Sequence, residues 1–61
     1  MNYIIINRID LREVLDLLLG ASIKINKVSF NGDETKIFID DVMRVKGILN
    51  DKVRIKECIE S

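Results

Sequence analysis

Apolar positions along this chain alternate at a strand-like period, recur at a helical one, and then go through the same change again. Tyr3-Ile4-Ile5-Ile6 is a short, mostly β-branched run bounded by Asn2 and Asn7, which predicts a strand buried between neighbours. Leu11, Val14, Leu15 and Leu18 follow at helical spacing and predict the inward stripe of a first helix. At its start Asp10 and Glu13 have the spacing of a capping box, in which each side chain accepts from a free backbone N–H. Gly20 is placed to end that helix in a left-handed conformation. Positions 22 to 30 then alternate with a change of phase. Ile23 and Ile25 share one parity and Val28 and Phe30 the other, which predicts a bulge near Asn26-Lys27 or a late strand start.

Asn31-Gly32-Asp33-Glu34 is the strongest turn signal in the chain and predicts a hairpin into a strand over 35–39. Asp40 or Asp41 is placed to cap a second helix with the stripe Val42, Val45, Ile48 and Leu49. Asn50 sits where Gly20 sat, and Lys52-Val53-Arg54-Ile55-Lys56 alternates as a last strand.

The two halves also match at an offset of 30 positions. Ile9-Asp10 recurs as Ile39-Asp40, Leu18-Leu19-Gly20 as Ile48-Leu49-Asn50, and Ile23-Lys24-Ile25 as Val53-Arg54-Ile55. Pattern and repeat together predict β-α-β-β-α-β, two split βαβ units with right-handed crossovers. The expected fold class is α+β, a ferredoxin-like two-layer sandwich with a four-stranded antiparallel sheet and both helices on one face. A three-stranded sheet with a frayed C-terminus, or a swapped dimer of the same elements, would use the same segments.

The chain of 61 residues reads as a single domain, 1–61, near the lower size limit for one core. It is 48% hydrophobic and rich in Ile, Leu and Val, so the material for a core is present. Cys58 is the only cysteine and there is no histidine, which excludes an internal disulfide and argues against a zinc site. Ten basic and ten acidic residues cancel, so no global field draws the chain to nucleic acid or to an anionic membrane. No apolar run approaches the roughly 18 residues that span a bilayer, and the first residues lack the features of a signal peptide. The expectation is a cytoplasmic protein with a reduced thiol.

Inside and outside follow from parity. With Ile37 and Ile39 facing the helices, Lys36 and Phe38 face outward; with Val53 and Ile55 inward, Lys52, Arg54 and Lys56 face outward, as does Lys24. Ile4 and Ile6 inward would leave Tyr3 and Ile5 outward, although the opposite parity fits the first strand almost as well. The open sheet face is then expected to hold Tyr3, Ile5, Lys24, Lys36, Phe38, Arg54 and Lys56, with the carboxylates gathered at helix starts and in the turn. Leu17, Leu19 and Met43 fall off the inward helix stripes and form a second candidate contact surface.

Chemistry is scarce. Without histidine there is no triad or Cys–His dyad. Asp40-Asp41 and Asp33-Glu34 suit helix capping and a turn better than acid–base work, which needs a cleft. No glycine-rich phosphate loop or calcium-loop pattern is present, and no cofactor is implied. Cys58 breaks the parity of its strand and is expected to be exposed and inert. The expectation is therefore a non-catalytic protein-interaction or regulatory module, not an enzyme, that self-associates as a homodimer or binds another protein. A small regulator or inhibitor of the mobile-element kind would fit. The alternative is a single-stranded nucleic-acid binder that stacks bases on Tyr3 and Phe38, and a third reading is an accessory domain of a larger assembly.

Overall fold

The computed structural model describes residues 1–60. It contains β1 (Tyr3–Asn7), a 3-10 turn (Arg8–Asp10), α1 (Leu11–Gly20), β2 (Ile25–Asn31), β3 (Glu34–Ile39), α2 (Val42–Leu49) and β4 (Ile55–Ile59). The strands form one antiparallel sheet in the order β2-β3-β1-β4. Ile4, Ile6, Ile37 and Ile39 join Val14 and Leu18 of α1 and Val42, Val45 and Leu49 of α2 in one buried cluster. Both helices therefore cover the same side of the sheet, and the arrangement is the ferredoxin-like α+β sandwich. Full burial of each such aliphatic side chain contributes about 1.5–3 kcal/mol, which is how so short a chain offsets its ordering entropy.

Local chemistry explains most element ends. Gly32 has φ +61° at the first position of the two-residue turn between β2 and β3, where a side chain would be strained. Asp41 caps α2, its carboxylate accepting from Arg44 N–H at 3.1 Å. The bulge expected near Asn26-Lys27 is present: Ile25 pairs with Ile39 and Lys27 with Phe38, leaving Asn26 as the extra residue.

Several expectations are corrected. Asp10 makes no side-chain cap; the 3-10 turn leads straight into α1, and Leu11 N–H is taken by the Arg8 carbonyl. Neither Gly20 nor Asn50 is left-handed. Gly20 stays inside α1, and the non-glycine residues with positive φ among those described are Ser22 (60°) and Asp51 (66°), each two residues beyond its helix. The stripe of α1 is rotated, so that Leu17 packs against the core alongside Leu11 while Leu15 lies outside the cluster.

The last strand begins three residues later than its alternation predicts. Val53 N–H bonds to the Leu49 carbonyl at 3.1 Å, which holds the chain in a turn until Ile55. A second bulge follows at Lys56, since Ile6 pairs with Ile55 and Ile5 with Glu57. That extra residue restores Cys58 to the inward side opposite Ile4, where it is half-buried against the core and not exposed as its parity implies. The repeat is likewise imperfect in space. Ile9, matched to Ile39, is 91% exposed in the 3-10 turn, while Ile39 is in the core.

Candidate interaction surface

The sheet face away from the helices is a grid that the strand registers define. One end is a row running Lys27, Phe38, Tyr3, Ile59 across β2, β3, β1 and β4. The middle row is Ser29, Lys36, Ile5, Glu57, and the far end holds Asn31, Glu34 and Asn7 with Lys56 reaching over them. Directly paired residues share a face, and Ile4, Ile6, Ile37 and Ile39 are buried on the other side. The parity of β1 is thereby settled, with Tyr3 and Ile5 outward.

The centre of this face is aromatic. Tyr3 and Phe38 are cross-strand partners with ring centroids 5.4 Å apart and planes tilted by 54°. Lys36 Nζ lies 4.6 Å from the Tyr3 ring centroid and 6.0 Å from that of Phe38, and Lys27 Nζ lies 5.7 Å from the latter. These ammonium groups sit over ring faces, where the quadrupole attracts them and the lysine stems shield apolar surface. Ile5 and Ile59 extend the apolar strip, half-buried. Across β1, Lys56 pairs with Glu34 at 2.8 Å.

Five of the seven residues expected on the open face are brought together: Tyr3, Ile5, Lys36, Phe38 and Lys56. The other two are not. Lys24 and Arg54 precede β2 and β4 and lie outside the sheet. The expected separation of cations from carboxylates also fails, because Glu34 and Glu57 lie on this face with Lys27, Lys36 and Lys56. Lys27 and Ile59 were absent from the expectation. The phase change at Asn26 was the signal that places Lys27 outward, while only the odd parity of Cys58 hinted at the second bulge that turns Glu57 and Ile59 outward.

On the helices, Leu19 and Met43 are 64% and 65% exposed, whereas Leu17 is half-buried and packs against the core. They lie at one end of the helical layer, where Arg44 Nη2 donates to the Ala21 carbonyl at 3.0 Å. Phe30, 53% exposed under the Arg8 guanidinium at 4.9 Å, is a further apolar position not anticipated.

An open depression of about 310 Å³ is lined by Asp51, Lys52, Val53 and Arg54, a single loop with one carboxylate. Among the described residues no group of three or more Cys, Asp or Glu side chains is arranged to hold a metal ion, and no helix is long and apolar enough to cross a membrane. Neither the protein-family models nor the curated proteins nor the solved structures contain a match to this chain. The class is thus defined by architecture alone: a small ferredoxin-like sandwich with one uncovered, aromatic-centred sheet face.

Proposed function

We propose that this chain is a non-catalytic, cytoplasmic interaction module that self-associates through the open face of its sheet and regulates by binding. The observation that carries the reading is the strip Phe38–Tyr3–Ile59 with Ile5, apolar side chains on central and edge strands that no helix covers. A standard interface takes about 800 Å² per partner, roughly a fifth of the 4107 Å² this molecule exposes, so a contact of that size needs one whole face. Mixed charges on the rim favour a protein surface over a polyanion.

Sedimentation velocity across a dilution series tests this. The expected result is a monomer–dimer equilibrium that Phe38→Lys abolishes and that Leu19→Lys and Met43→Lys leave intact. A monomer at millimolar concentration refutes the proposal, and loss of the dimer only in the helix variants would move the interface to the helices.

A second reading has its own observation. Two adjacent rings on the central strands with lysines over them form a platform of the kind on which bases stack. Under it, fluorescent oligo-U binds at low salt and is released as salt rises, since phosphate contacts release counterions. Glu34 and Glu57 on the same face count against it. Absence of binding at low salt eliminates it.

A further inference from the structure

The open face is asymmetric from edge to edge. Apart from the Lys56–Glu34 pair, the charges are Lys27 and Lys36 on β2 and β3 and Glu57 on β4, at the other side of the aromatic pair. Glu34, the other carboxylate, is already engaged by Lys56, but Glu57 has no ion-pair partner among the described residues. The face is asymmetric from end to end as well, with the apolar row at one end and Asn31, Glu34 and Asn7 at the other.

These two gradients select one way for a second copy to sit. Resting on self-association through the sheet, we propose that the dimer is face to face with its twofold axis parallel to the strands. Rotation about such an axis keeps each row at its own height and exchanges the sheet edges. The row Lys27–Phe38–Tyr3–Ile59 then meets itself in reverse order, with Phe38 over Tyr3 of the second copy. Lys36 comes to lie over Ile5 of the second copy, one strand from its Glu57, and the symmetry makes that contact twice. Rotation about an axis across the strands, through the middle of the sheet, would instead press Phe38 and Tyr3 onto Glu34 and Asn7. That arrangement buries a carboxylate against an aromatic ring and, with each strand over its own copy, sets Glu57 against Glu57 and Lys36 against Lys36 of the second copy. Aligned packing of twisted sheets, within about 30° of parallel, is compatible with the first arrangement.

Charge reversal reads the orientation directly. Lys36→Glu and Glu57→Lys each place like charges on neighbouring strands across the interface, and each weakens self-association by about tenfold or more at low salt. Both positions are on the surface, and circular dichroism checks that the variants remain folded. The double variant K36E/E57K restores the pairing with its sign inverted, and an equimolar mixture of the two single variants forms a heterodimer tighter than either homodimer. Recovery in both experiments supports the proposed axis. If the single variants weaken the dimer without recovery, or leave it unchanged while Phe38→Lys abolishes it, the axis is wrong and the sheet dimer survives. A wild-type chain that stays monomeric at millimolar concentration overturns both.

Discussion

Replacing Thr35 by valine is expected to raise the stability of this fold by about 1–2 kcal/mol. Thr35 lies on β3 between Ile6 of β1 and Phe30 of β2, on the side facing the helices, and it is fully buried. Its Oγ1 has no hydrogen-bond partner among the described residues. A hydroxyl taken from water into such a site forfeits its hydration, a cost of about 1–3 kcal/mol in proteins. Valine keeps the β-branched shape and strand preference while adding a buried methyl, worth up to about 0.8 kcal/mol. Imperfect accommodation of that methyl takes back part of the gain. In a domain of this size each kcal/mol moves the midpoint by about 4–8 °C, so a thermal shift of about 5–15 °C is expected.

The assay is urea and thermal unfolding followed by far-ultraviolet circular dichroism. Wild type and variant must be compared at one protein concentration, because the proposed self-association would add to apparent stability. Thr35→Ser is the control, since it keeps the hydroxyl, removes a buried methyl and should lower stability by about 1 kcal/mol. If Thr35→Val is destabilised by more than about 0.5 kcal/mol with the urea slope unchanged, Oγ1 is hydrogen-bonded and the reasoning fails.

The remaining predictions use the same unfolding measurements. Gly20→Ala and Gly47→Ala should each stabilise by about 0.5–1 kcal/mol, because both are helical and a Cβ would meet nothing within 4 Å. A loss of stability in Gly20→Ala would restore the left-handed stop that the structure denies. Gly32→Val should cost about 1–2 kcal/mol at φ +61°, with Gly32→Asn milder. Asp41→Ala should cost about 1 kcal/mol, whereas Asp10→Ala should change stability by less than about 0.5 kcal/mol, since only the first side chain caps a helix.

Local pattern carried the order of elements, the hairpin at Asn31–Glu34, the buried stripe of α2 and the bulge at Asn26, because each depends on neighbours within a few residues. Repeat matching was less faithful. The 3-10 turn Arg8–Asp10 has no counterpart in the second half, so a matched isoleucine pair ends with Ile9 in water and Ile39 in the core. Three consecutive isoleucines in β1 offer no preference for either face, and only pairing with β3 and β4 selects Ile4 and Ile6 as the buried ones.

The open face turned on one residue in particular. Lys56 is an extra position in β4, and every side chain after it changes sides relative to a regular strand. Cys58 thereby turns inward, half-buried against the core, while Glu57 and Ile59 join Tyr3, Ile5 and Phe38. The chain by itself determined which segments become helix and strand, since backbone preference and apolar period are local properties. Which residues of those strands meet solvent, and hence the charge and apolar extent of the candidate surface, was decided by tertiary pairing, because a face is counted from a neighbour's hydrogen bonds and a single inserted residue reverses the count.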